Sequence, residues 1–119
     1  MGKMQRDKGA RFERTVAGLF RDHGYKAFRT AQYEGKSGNC ADVEGVPLIH
    51  IECKHCERME LYKWMEQATR DSRASKKEKP PVVIHKANNK DVLVTMKFED
   101  WIKLYCEWEC GVYGTEREE

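Results

Sequence analysis

The chain has 119 residues, of which 39% are hydrophobic and 35% charged, and its net charge is +2. This length predicts one domain over residues 1–119, and the longest apolar runs are too short to cross a bilayer, which excludes a membrane-embedded protein. Five cysteines are an odd number and the first residues lack the apolar core of a signal peptide, which argues against a secreted disulfide framework. We therefore expect a cytoplasmic protein with reduced thiols, a location that also suits a virus-encoded protein acting inside its host cell.

The charge is unevenly distributed along the chain. Residues 1–36 hold nine Lys/Arg against four Asp/Glu, whereas residues 99–119 hold two against seven. A basic front and an acidic tail are compatible with a polyanion bound on one face of the protein. Nucleic acid is therefore a candidate partner, although many solvated helices are equally charged.

The first predicted element is an amphipathic helix from Arg6 to His23, which Gly24 would end. Its apolar residues recur at helical spacing and are Phe12, Val16, Leu19 and Phe20. Residues 25–31 alternate as a strand does, the Gly- and Ser-rich residues 34–40 predict a loop, and residues 40–44 predict a short strand.

Residues 48–55 form the strongest predicted strand, and residues 57–73 an amphipathic helix with Met59, Tyr62, Met65 and Ala68 on one side. A basic connection precedes two strands, at residues 82–87 and 92–96, that flank a tight turn. Lys97 to Cys106 predict a closing helix, with Phe98, Trp101, Ile102 and Tyr105 inward, and residues 108–119 a flexible acidic tail. The order α-β-β-β-α-β-β-α predicts an α/β fold with a central mixed sheet flanked by helices.

The strongest strand carries charge in its middle. Alternation places Ile49, Ile51 and Cys53 on one face and His50, Glu52 and Lys54 on the other. If residues 40–55 form a hairpin around Pro47, Asp42 lies opposite Glu52 on the polar face. The apolar face can then pack against helices while the polar face lines a cleft.

Two carboxylates beside a lysine can bind a hard divalent cation through oxygen ligands. Such a cation polarises a phosphodiester and activates water, and the lysine can stabilise the negative charge that develops. The spacing Glu-x-Lys alone is weak, since Glu34 and Lys36 share it in a loop. An ordinary cross-strand salt bridge is the alternative interpretation of Glu52 and Lys54.

The pattern of Glu13 in the first helix, Asp42 on one strand and Glu52-Cys53-Lys54 on the next resembles the PD-(D/E)XK nuclease superfamily. Among its branches it is most similar to archaeal-type Holliday junction resolvases and related small phage nucleases. Those also share an opening pattern that is found here as Lys8-Gly9, Glu13-Arg14, Leu19, Gly24-Tyr25 and Arg29. The resemblance implies a restriction-endonuclease-like core, αβββαβ.

The resemblance also implies an endonuclease that hydrolyses DNA phosphodiester bonds with Mg²⁺, for which Mn²⁺ can substitute. Asp42, Glu52 and the carbonyl of Cys53 would ligate the metal, Glu13 would act near it, and Lys54 would be the catalytic lysine. Gln67 would lie near the site on the following helix. The residues expected to contact DNA are Lys8, Arg11, Arg14, Lys36 and Ser37.

Two departures from the family pattern bear on the substrate. Ala41 precedes Asp42 where a proline is usual, and the loop at residues 34–40 does not match a resolvase pattern tightly. A four-way junction is the leading substrate, because a homodimer would cut its symmetry-related strands. A flap, a nicked duplex and single-stranded DNA are the alternatives.

Two other classes of function remain open from the sequence. One is a nucleic-acid-binding protein without catalysis. The other is a zinc-stabilised module, in which Cys53, Cys56, Cys106 and Cys110 would supply four thiolates, with His50 and His55 as substitutes. Against the zinc site, the alternation puts Cys53 on the apolar face of its strand, and Cys106 and Cys110 are spaced as neighbours on a helix.

Overall fold

The computed structural model of the chain describes residues 2–30, 40–75 and 77–117, with side chains to residue 113. In chain order the elements are α1 (Lys3–Asp22), β1 (Phe28–Arg29), β2 (Val43–Glu44), β3 (His50–His55), α2 (Leu61–Ala74), β4 (Pro81–Lys86), β5 (Leu93–Met96) and α3 (Phe98–Arg117). This order confirms the predicted α/β class.

The five strands form one mixed sheet in the order β1-β2-β3-β4-β5. β3 and β4 run parallel, and the other neighbouring pairs are antiparallel. Helix α2 makes the crossover between the two parallel strands, which a direct hairpin cannot join. The β1–β3 meander therefore lies beside a βαβ unit, and β3 is the strand that they share.

The two faces of the sheet carry different helices. On one face, Phe12 and Val16 of α1 pack against Ile51 and Cys53 of β3. On the other face, Trp64 and Ala68 of α2 pack against a valine of β4. The alternation predicted for β3 is therefore found, and its polar face lies on the side of the sheet that α2 covers.

Helix α2 buries only part of the predicted stripe. Ala68 is buried and Met65 packs against the same cluster, whereas Met59 precedes the helix and is exposed, as is Tyr62. The other buried residues are Trp64 and Ser72, which follow the spacing of four residues through Ala68. Ser72 can lie in the core because its hydroxyl donates a hydrogen bond to the carbonyl of Lys79.

Helix α3 also differs from its prediction. It continues through Arg117, with non-helical backbone at Tyr113, into the segment expected to be a tail. The aromatic residues expected to face inward, Phe98, Trp101 and Tyr105, are exposed. Within the described residues, no helix is long and apolar enough to cross a membrane.

Candidate active site

The β2–β3 hairpin places Asp42 and Glu52 on neighbouring segments. Val43 pairs with Ile51, and the amide of Asp42, the residue before β2, donates to the carbonyl of the same Ile51 at 2.8 Å. Both acidic side chains are buried, with 2% of Asp42 and none of Glu52 exposed. That the two side chains share one face of the sheet stays a prediction.

A glycine makes this hairpin possible. Gly45 follows β2 with φ of 92°, a conformation that side chains strongly disfavour. A Cβ on Gly45 would also collide with the carbonyl of Lys26. The close approach of these two backbone segments holds β1 against β2, and it thereby sets where Asp42 lies.

The main chain of β3 orients Asp42. Its Oδ2 accepts a hydrogen bond of 2.8 Å from the amide of Cys53. A bond from a backbone amide to a carboxylate is charge-assisted, and it fixes the carboxyl group against the strand. The side chain of Cys53 packs in the α1 core, so this residue contributes its backbone to the polar site.

His50 contacts the second carboxylate. Its Nε2 lies 3.2 Å from Oε1 of Glu52, and both side chains are buried. With its proton on Nε2, the imidazole donates a hydrogen bond to the carboxylate. The amide of His50 in turn donates to the carbonyl of Pro80 at 2.9 Å. The sequence suggested His50 as a structural or supporting residue, and the structure places it against Glu52.

Lys54 is held by the helix that crosses the polar face. Its Nζ donates a hydrogen bond of 3.0 Å to Oε1 of Gln67 on α2. The contact joins two residues that the family resemblance singled out independently. Because an ammonium on a four-carbon stem is otherwise mobile, the amide fixes the position of its charge.

Glu13 has a different neighbour from the one expected. Its Oε1 lies 2.8 Å from Nε of Arg29, which sits on β1 opposite Val43. The resemblance included Arg29 without giving it a role. Its opposite charge and the packing of β1 beside α1 are the signals that could have predicted its ion pair with Glu13. Among the described residues, no group of three or more His, Cys, Asp and Glu side chains is arranged to hold a metal ion. The same finding covers Asp42, Glu52 and His50, so these side chains are not arranged as a three-ligand metal site, and the role of Glu13 near a metal stays a prediction.

The remaining donors nevertheless suit one kind of metal. Two buried carboxylates and a nearby backbone supply oxygen ligands, which Mg²⁺ prefers. Mg²⁺ commonly uses one or two protein carboxylates and completes its shell with water and substrate phosphate, so it needs no third acidic residue. The pair Asp42 and Glu52 fits a cation of this class.

The expected DNA-contacting residues are only partly described. Arg11 and Arg14 are exposed on α1. Lys8 lies close enough to His55 that, after burial, it is the second cause lowering the pKa of that histidine. This contact places Lys8 beside the end of β3. Lys36 and Ser37 lie outside the described residues.

A cavity of about 390 Å³ opens beside the carboxylate pair. His50 and Ala41, the neighbours of Glu52 and Asp42, contribute to its lining, and Lys77 and Lys79 add positive charge. Both lysines come from the basic connection before β4. The lining residues do not include Asp42 or Glu52 themselves, so the cavity lies beside the pair, next to a surface that can attract an anion.

The cysteines do not form the zinc site considered from the sequence. Cys53 is buried in the core, whereas Cys56, Cys106 and Cys110 are exposed. These four residues belong to the described part of the chain, in which no group of His, Cys, Asp and Glu side chains is arranged to hold a metal ion. The zinc-stabilised module is therefore not supported. Cys53 instead packs as a small hydrophobic residue of the core.

Comparisons with known proteins agree with this architecture. A family model described as phage putative PDDEXK endonuclease matches residues 4–113. The solved structure of Hjc, a Holliday junction resolvase from Archaeoglobus fulgidus, is similar with a TM-score of 0.53 and 22% identity, over 75% of this chain and 72% of that one. This similarity shows a shared fold. No curated protein matches.

Proposed function

Because the chain belongs to the family of phage putative PDDEXK endonucleases, we propose that it hydrolyses DNA phosphodiester bonds at Asp42, Glu52 and Lys54. The observation that supports this proposal is the burial of two carboxylates on neighbouring segments of the β2–β3 hairpin, Asp42 just before β2 and Glu52 on β3. Burying two like charges side by side is unfavourable for a purely structural sheet. A divalent cation bound between the two carboxylates would offset their repulsion, which explains why both acidic residues are found there.

Asp42 and Glu52, with the main-chain carbonyl of Cys53, would hold a divalent cation, Mg²⁺ or Mn²⁺ in its place. When bound, that cation supplies Lewis acidity, which polarises the phosphodiester and makes water a better nucleophile. The protein contributes the preorganisation of its ligands. The Cys53 amide holds one carboxylate and His50 contacts the other, so little rearrangement is needed when the substrate arrives.

Lys54 would act on the charge of the transition state. Gln67 fixes its ammonium at 3.0 Å, in a position from which it can donate to a phosphoryl oxygen or orient the attacking water. Negative charge grows on the phosphoryl group as water attacks, so a fixed cation stabilises the transition state more than the substrate. Glu13 is proposed to act in the hydration shell of the metal, with its ion pair to Arg29 limiting its freedom.

DNA would be held through its phosphates by basic residues. Lys8, Arg11 and Arg14 on α1 are proposed to contact backbone phosphates, with Lys36 and Ser37 from the following loop, since such contacts release condensed counterions. Similarity to the fold of Hjc supports branched DNA, and a four-way junction first. Two copies of the chain would cut its symmetry-related strands. Flaps, nicked duplexes and single strands are the other substrates to compare.

A nuclease panel tests the proposal. Purified protein is incubated with four-way junction, flap, nicked, linear and single-stranded DNA, with Mg²⁺ and with a chelator. We expect cleavage that needs the cation and is fastest on the junction. Asp42→Asn should abolish cleavage and retain DNA binding. Glu66→Gln, which removes an exposed carboxylate next to Gln67, should leave both cleavage and DNA binding unchanged. Wild-type protein that binds all the DNAs and cuts none would favour the non-catalytic alternative.

A further inference from the structure

Helix α3 carries an apolar stripe that faces solvent. Its members are Phe98, Trp101, Tyr105, Trp108 and Val112, which follow one another in steps of three, four, three and four residues. Steps of this kind place side chains on one seam of a helix, as at the core positions of a coiled coil. The aromatic rings indeed form a continuous row, with centroids 5.3–5.9 Å apart from Phe98 to Trp108.

The exposure of this stripe is large for a folded protein. Between 38% and 65% of each of the five residues is accessible to solvent. Since an aromatic side chain offers about 150–250 Å² for burial, the four rings expose roughly 400 Å² in one copy. Two copies would bury about 800 Å² from the rings alone, most of the roughly 1,000 Å² that a specific interface needs. The aliphatic neighbours on α3 supply the remainder.

We propose that this stripe is the surface through which two copies of the chain pair, with α3 packed antiparallel against α3 of the second copy. The seam has the spacing that two helices need to interdigitate. The stripe is about 21 Å long from Phe98 to Val112, at about 1.5 Å per residue, which is long enough for several layers of contact. A second copy is the occupant because the stripe is complementary to itself.

The charges on α3 favour the antiparallel arrangement. Residues 97–103 contain Lys97 and Lys103 beside two acidic residues, whereas residues 104–113 contain Glu107 and Glu109 and no lysine or arginine. Parallel helices would place the two acidic halves side by side. Antiparallel helices place each acidic half beside the lysines of the other copy, which removes this repulsion.

The proposed function requires two copies of the chain to act on one junction. Pairing through α3 rests on that proposal and names the surface that would join the two copies. It can fail separately from catalysis, because it is measured without DNA. Asp42→Asn should lose cleavage and keep pairing, whereas a change on the stripe should lose pairing with the active-site residues intact. Cleavage lost in the first variant and a dimer lost in the second are thus independent results.

The test is sedimentation of the full chain over a wide range of concentration, with reductant present. The wild type should have the mass of a dimer, and Trp108→Glu should raise the dissociation constant roughly thirtyfold or more, the effect of losing an interface hot spot. Val112→Glu, at the far end of the stripe, should weaken pairing as well. Far-ultraviolet circular dichroism checks that both variants keep their helices.

Two controls separate the stripe from other causes of association. Met4→Glu changes a methionine on α1 that is 80% exposed, and the dimer should survive it. The double variant Cys106→Ser, Cys110→Ser should also remain dimeric, since a disulfide is not the link. A monomeric wild type, or a Trp108→Glu variant that still dimerises, would overturn the proposal.

The orientation has its own measurement. Equal amounts of ¹⁴N- and ¹⁵N-labelled protein are mixed and treated with a zero-length carbodiimide, which joins lysines to carboxylates in contact. Mixed-isotope cross-links from Lys97 or Lys103 to Glu107 or Glu109 are expected. Within one helix Lys103 and Glu107 are also neighbours, so only links that carry both isotopes count. A dimer without such links would exclude the antiparallel arrangement.

Discussion

Neutralising either buried carboxylate should stabilise the protein while it destroys the site. Asp42→Asn and Glu52→Gln keep the shape of each side chain, and an asparagine can still accept from the Cys53 amide. Neighbouring residues on antiparallel strands have Cβ atoms about 5 Å apart. If both carboxyl groups are ionised at such a separation, they repel by about 3 kcal/mol at an effective dielectric constant of about 20. The contact between His50 and Glu52 offsets part of this.

We therefore expect each amide variant to be about 1–2 kcal/mol more stable than the wild type in the presence of a chelator. At this chain length that gain raises the melting temperature by about 3–8 °C. Mg²⁺ should reverse the order, because a ligand at a hundred times its dissociation constant stabilises the protein that binds it by about 2.7 kcal/mol. The variants lack one ligand and gain little.

The assay is thermal unfolding followed by circular dichroism, with chelator and across a Mg²⁺ titration. Glu66→Gln, which removes an exposed carboxylate on α2, should behave as the wild type under both conditions. If both amide variants melt below the wild type in chelator, the carboxylates are not in conflict. The inference that this pair is retained for cation binding would then be wrong.

Three further measurements test other parts of the structure. Gln67→Leu removes the acceptor that fixes Lys54. Because a hydrogen bond to a charged group contributes about 1.5–3 kcal/mol, kcat should fall roughly tenfold to a hundredfold with KM little changed. An unaltered kcat would refute the positioning role of Gln67. Burial lowers the pKa of His85 below 6.5. The unfolded chain therefore binds more protons than the folded one below that pH, and stability falls as pH drops from about 6.5 towards the folded-state pKa. The melting temperature of His85→Gln should depend less on pH between pH 7.5 and 5 than that of the wild type, and the same dependence in both proteins would contradict this. Gly45→Ala should destabilise the protein by about 1–3 kcal/mol from its φ alone, and by more from the collision with the Lys26 carbonyl. Gly9→Ala, in open space inside α1, should stabilise it by about 0.5–1 kcal/mol. If Gly45→Ala unfolds at the same urea concentration as the wild type, the hairpin does not need the glycine.

The local pattern of the chain predicted the order of elements and the two faces of β3. Alternation needs only the fixed geometry of a strand, and α1 needs only its helical spacing of apolar residues. The sequence also predicted that a hairpin around Pro47 joins residues 40–55, and the pairing of Val43 with Ile51 shows that hairpin. That Asp42 lies on the same face as Glu52 stays a prediction. The catalytic roles of these residues remain predictions.

The sequence by itself therefore determined the class of fold, the position of the polar strand and the residues worth comparing with a nuclease family. Only the tertiary structure decided which stripe of α2 is buried, that Glu13 meets Arg29, and that the aromatic face of α3 is exposed. The physical reason is that an apolar stripe shows which side of a helix avoids water but does not show what covers it. For α2 the answer is β4 of the same chain, and for α3 we infer that it is a second copy.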